Sequence, residues 1–221
     1  MILAKADGTA WRIDRVAEKL ALRAKLPGAR VFDLAAESLR NAKMAGVSSM
    51  GQLVLALPAS WCVNSPAPST VFRRWVLPPE REVWASLIEV LDEPRTGPLE
   101  VESSDAVVAA IQALGPEAFG VEAISKVLAL LVPESVPLMP PAARLFALGG
   151  PPAANAGAFV EMVNWFGKAV HEGRAELARW AHQHAEVRLS AAQVLDRLLW
   201  FDSEGYRHFP SVPLDTPPAP V

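Results

Sequence analysis

The chain has one cysteine, Cys62, and one tyrosine in 221 residues. A single cysteine excludes a disulfide framework and any zinc site built on cysteine pairs. No apolar run approaches the roughly 20 residues that a bilayer-spanning helix needs, so no membrane partner is expected. Charge of one sign is also scarce, with 21 basic and 24 acidic residues for a net of −3. That balance excludes a strongly cationic protein that coats nucleic acid, while leaving room for a local basic patch. The opening run Met1-Ile-Leu-Ala-Lys-Ala-Asp7 is broken by charge before the apolar centre of a secretory signal can form. Together with the lone cysteine, it points to the cytoplasm.

Proline is the abundant outlier, with 20 residues, and hydrophobic residues make up 51%. Alanine and leucine punctuated by proline describe short helices with frequent stops. The expected fold is all-α, with short helices around one core. Residues 11–26 carry Trp11, Ile13, Val16, Leu20 and Leu22 at helical spacing, and Leu26-Pro27-Gly28 reads as a stop. Residues 31–44 repeat the pattern, with Val31, Leu34, Ala35, Ser38, Leu39 and Ala42 on one face. Residues 49–57 fit a buried helical turn or a strand. Further helices are expected over 80–92, from Ser104 to Leu114, over 118–132, 142–148, 158–170 and 172–187, and from a capping box at Ser190-Ala-Ala-Gln193.

Two regions emerge, 1–93 and 101–205, within what reads as one compact domain. The linker Glu93-Pro-Arg-Thr-Gly-Pro98 separates them, and a proline-rich tail follows from 206 to 221. Residues 58–79 form an irregular Pro/Trp-rich insertion, with room for a small, loose hairpin around Asn64–Ser69. Here Trp61, Arg73, Arg74 and Trp75 are binding candidates, since an arginine pair beside tryptophan can stack on a base or grip phosphate. A single arginine pair more often forms surface ion pairs. Residues 1–50 hold nine Lys/Arg and five Asp/Glu, a net of +4 against −7 for the remainder. This asymmetry fits either a footprint for an anionic partner or a solvated helix face.

Most catalytic signatures are missing. There is no Gly-x-Gly-x-x-Gly, no phosphate loop ending in Gly-Lys-Ser/Thr, and no Gly-x-Ser-x-Gly. His182 and His184 lie two apart, so on a helix they point about 200° apart and cannot easily share a metal. Cys62, flanked by Trp61 and Val63, reads as core. No metal or cofactor is expected. Trp11, Trp84, Trp180 and Trp200 fall on apolar helix faces and also read as core.

Three segments carry a family resemblance: Gly115-Pro-Glu-Ala-Phe-Gly120-Val121-Glu-Ala-Ile-Ser125-Lys126-Val-Leu128, then Val136-Pro137-Leu138, then Leu195-Asp196-Arg-Leu-Leu-Trp200. Over residues ~105–205 the chain resembles an uncharacterised bacterial family of unknown function. That family looks like the helix-hairpin-helix fold of the 8-oxoguanine DNA glycosylases. The resemblance implies a phosphate-gripping hairpin at Gly120-Val121, a nucleophilic lysine at Lys126 and a downstream aspartate. Glu122 stands where the hairpin's second glycine belongs and would place an anion at the phosphate. The aspartate position falls on Met139 or Pro140, and no carboxylate occurs between Glu134 and Glu161. Losing that counter-charge at a developing cation costs on the order of 10²–10³ in rate. The expectation is a non-catalytic helical binding protein with a degenerate glycosylase-like fold. A protein partner is favoured over DNA, through the Trp61–Trp75 loop or the proline tail. The alternative is a DNA-binding or DNA-repair enzyme that uses Lys126. Oligomeric state is not legible.

Overall fold

The computed structural model describes residues 1–60, 78–93, 97–150, 155–183 and 189–209. It opens with a small antiparallel hairpin, β1 (Ile2–Ala4) and β2 (Ala10–Arg12), with Leu3 opposite Trp11. The turn is held by Asp7, whose Oδ1 accepts from the Thr9 N–H at 2.9 Å and from Thr9 Oγ1 at 2.7 Å. Gly8 supplies the positive φ of 83°. The hairpin replaces the start of the helix expected over 11–26. Trp11 still reaches the core, and its Nε1 donates to Asp202 at 2.9 Å.

The rest is helical. Nine α-helices follow among the described residues: α1 (Val16–Ala24), α2 (Pro27–Met44), α3 (Ser49–Ser60), α4 (Pro78–Asp92), α5 (Val101–Ala113), α6 (Pro116–Leu131), α7 (Pro141–Leu148), α8 (Ala156–Gln183) and α9 (Ala191–Ser203). A single 3₁₀ turn, Gly205–His208, closes the described chain. α1 ends at Ala24, next to the expected stop at Leu26-Pro27-Gly28, and Pro27 also starts α2, because a first-turn residue needs no N–H partner. Residues 58–60 of the expected insertion belong to α3. Residues 61–77, with Trp61, Arg73, Arg74 and Trp75, lie outside the described residues, as does the tail from 210. The two helices expected over 158–187 are one continuous α8 of 28 residues.

The centre of the core is α6. Val121, Ile124, Val127, Leu128 and Leu130 are all buried, with α2, α3 and α5 packed around them. The second centre is α9, which packs on α8, α7 and α1. Buried residues run along almost its whole length, including Gln193, Asp196 and Arg197. Its start is fixed by a reciprocal cap, with Ser190 Oγ accepting from the Gln193 N–H at 3.2 Å and Gln193 Oε1 accepting from the Ser190 N–H at 3.0 Å. Between α6 and α7 runs the extended connector Val136–Pro140, also buried. Its backbone donors find side-chain acceptors, as buried N–H groups must. Leu138 N–H donates to Asp196 Oδ1 at 2.8 Å, and Met139 N–H donates to Ser125 Oγ at 3.0 Å.

No helix among the described residues is long and apolar enough to cross a membrane.

Candidate functional site

Because α9 is buried on nearly every side, its charged residues must be neutralised inside the protein. Arg197 donates from Nη1 to Asp196 Oδ2 at 2.7 Å, and from Nη2 to Asp33 Oδ1. Asp33 Oδ2 in turn accepts from Arg23 Nη1 at 2.7 Å. The result is a buried chain of alternating charge, Arg23–Asp33–Arg197–Asp196, joining α1, α2 and α9. Burial pushes Asp33 up, but the two guanidiniums outweigh it and hold its carboxyl below the ordinary value. Burial pushes the Asp196 carboxyl above its ordinary value, partly offset by Arg197 and Arg23.

Arg23 also forms a wall of a cleft of about 250 Å³, together with Lys126 and Glu122 from α6, Leu138 and Pro140 from the connector, and Trp200, Glu204 and His208 beyond. The three segments quoted for the family resemblance therefore meet around one cavity: Lys126 follows Ser125, Leu138 is tied to Asp196, and Trp200 lies one turn beyond Asp196. Lys126 is 5% exposed, and its Nζ lies 2.7 Å from Glu122 Oε1 across one helical turn. Gly120 and Val121 lie inside the continuous helix α6, with Val121 fully buried, rather than in a turn between two helices. Val121 is not among the described residues that line the cleft; the first turn of α2 is, through Leu26, Pro27, Gly28 and Ala29. That 18-residue helix has no side-chain cap. Its first intrahelical bond is Arg30 N–H to Leu26 O at 3.1 Å. The Gly28 and Ala29 N–H groups thus carry the positive end of the helix dipole into the cleft.

Arg144 on α7 is 4% exposed, and its Nε and Nη1 have no hydrogen-bond partner. Burial pushes the Arg144 guanidinium below its ordinary value, and Glu122 is the carboxylate that opposes this. Glu122 thus pairs with Lys126 and also acts on Arg144 through its charge, although Arg144 is not among the residues that line the cleft. The other cleft carboxylate, Glu204, is pushed above its ordinary value by burial, although a hydrogen bond from Trp200 opposes the shift. Glu122 adds to the rise, and His208 and Arg207 oppose it. His208 stacks on Trp200 with ring centroids 5.6 Å apart, closing one side of the cleft.

The sequence reading singled out Lys126 but missed Arg23, Arg144, Glu204 and the start of α2. Arg23 and Arg144 look like ordinary helix-surface residues in a one-dimensional pattern. The legible signal was Pro27-Gly28, which marks an uncapped first turn when read as a helix start. Trp180 and Trp200, expected in the core, are partly exposed, whereas Trp11 and Trp84 are buried. His182 is exposed at the end of α8, and no group of three or more metal-ligating side chains occurs among the described residues. Compared with family models, curated proteins and solved structures, the chain has no match in any of the three.

Proposed function

We propose that the protein is a non-catalytic helical binding protein whose Lys126 cleft receives a small anionic group, a phosphate or carboxylate borne by its ligand. The observation that carries this is that the buried Lys126 and the first turn of α2, which has no side-chain cap, line the same cavity. An incoming anion would accept from the Gly28 and Ala29 N–H groups and from Lys126, where low solvent exposure strengthens each contact.

The degenerate glycosylase-like reading belongs here as well. Its support is the convergence of the Ser125-Lys126, Val136-Pro137-Leu138 and Leu195-Asp196 segments on one cleft. The enzymatic alternative needs Lys126 as an amine with a free electron pair. Its Nζ is instead held 2.7 Å from the Glu122 carboxylate, which does not activate it as a nucleophile. Asp196, the buried carboxylate nearest the connector, is occupied by Arg197 and by the Leu138 N–H.

The test uses fluorescence anisotropy of labelled duplexes, intact and abasic, followed by borohydride trapping. The non-catalytic reading expects no trapped adduct with wild-type protein. A trapped adduct that Lys126→Ala abolishes would replace it with the enzymatic reading.

A further inference from the structure

A second, larger cavity lies on the other side of the Arg23–Asp33–Arg197 wall. It is a groove of about 890 Å³ running between α1 and α2 and past the end of α8. The side of α1 turned away from the core forms one flank: Ala17, Ala21 and Ala24 are exposed there and Leu20 is partly so. Leu34 of α2, 48% exposed, forms the other. Such a ridge of small residues at i, i+4 and i+7 lets a second helix approach closely, at the short end of the usual 8–10 Å axis separation. The cations lining the groove are Lys25 and Arg30, both exposed, with Arg23 and Arg197 below. Asp33 is the acidic residue among the described lining residues, and two guanidiniums already neutralise it.

Apolar flanks between basic rims suit one class of occupant. A nucleic-acid strand would engage Lys25 and Arg30 but leave Leu20 and Leu34 against a charged backbone. The chain's net charge of −3 also opposes a long polyanion. The described lining residues offer no strand edge with which an extended peptide could pair. Two turns of an α-helix are about 11 Å long and 10 Å across, a size that an open groove on this scale admits.

We infer that this groove docks an acidic amphipathic helix from a partner protein, which lays its apolar face on Leu20, Ala21, Ala24 and Leu34 and its carboxylates against Lys25 and Arg30. The inference is independent of the Lys126 cleft.

The test is an anisotropy titration with a designed 18-residue helical peptide bearing a leucine/alanine face flanked by glutamates. A scrambled peptide of the same composition, a lysine-flanked version and labelled DNA run in parallel, and sedimentation velocity is measured on the protein alone. The expected result is binding of the acidic amphipathic peptide at tens of micromolar or tighter. Scrambling should weaken it at least tenfold, as should Leu34→Asp and the pair Lys25→Glu with Arg30→Glu. These residues are exposed, and an unchanged thermal midpoint confirms that the variants fold. Lys126→Gln should leave peptide binding unchanged, which separates this inference from the cleft reading. Absence of binding, indifference to scrambling or to the groove variants, or stronger binding of DNA would overturn it. So would salt-sensitive self-association that Leu34→Asp abolishes, because that would give the groove to a second copy of the chain.

Discussion

Asp33→Asn is the substitution from which the most follows. Asp33 is 8% exposed and accepts from two guanidiniums that are themselves 3% exposed. Neutralising it leaves Arg23 and Arg197 buried with a single carboxylate, Asp196, between them. Breaking a buried pair by removing one partner costs about 3–5 kcal/mol, because the cost includes the uncompensated charge left behind. For a chain of this size each kcal/mol moves the thermal midpoint by about 2–4 °C, so a fall of roughly 6–20 °C is expected. Urea unfolding with linear extrapolation measures the difference directly. The pH dependence supplies an independent check. The folded-state carboxyl is held below its ordinary value, so its contribution is fully present above the unfolded value of about 3.9. That contribution is lost only as pH falls through the still lower folded value. The gap between wild type and Asp33→Asn should therefore stay flat from pH 7 to about pH 5 and narrow below about pH 4. A gap under about 1 kcal/mol at pH 7, the size of an exposed pair, or a gap that widens toward acid, would refute the reasoning.

Three further outcomes are expected. Ser190→Ala removes the reciprocal cap of α9 and should cost about 1 kcal/mol in urea unfolding. Gly149→Ala should cost clearly more than Gly115→Ala: both glycines sit at positive φ, but a Cβ at Gly149 would meet Asp7 Oδ2 at 2.5 Å, while one at Gly115 meets nothing within 4 Å. Paired melting curves of the two variants would show the difference. Trp11→Phe keeps the ring contacts with Phe146 and Trp165 but loses the Nε1 donor to Asp202. It should destabilise by about 1–3 kcal/mol, the range for a hydrogen bond to a charged acceptor and the cost of stranding it, as calorimetry would report.

How much of this was legible in the sequence depended on the range of the interaction. The Ser190–Gln193 cap is local, and the start of α9 was read correctly from four residues. The hairpin was missed because its strands are three residues each, too short for any periodicity; Asp7-Gly8 was the available turn signal. Within α8, Gly173 is where Met1 packs against the helix: a Cβ there would lie 2.7 Å from the Met1 Sδ. Along α2 two apolar stripes compete. On the face expected from the sequence Leu39 is buried but Val31 and Leu34 are exposed, and Phe32 and Ala36 are buried in their place. The larger aromatic surface decides which side faces inward. The charged network was beyond reach, since Asp33 and Arg197 meet across 164 positions. So was the cleft, whose walls come from α1, α2, α6, the connector and the residues after α9.

The central claim is that the cleft holds an anion against Lys126 and the first turn of α2. An amide-resolved NMR titration with inorganic phosphate at low salt tests it most directly, run on wild type and Lys126→Gln. The account predicts saturable shifts at the Gly28 and Ala29 amides, weakened at physiological salt and at least tenfold weaker in the variant. Shifts scattered over the surface, or the same response at Gly28 and Ala29 with Lys126 removed, would contradict it.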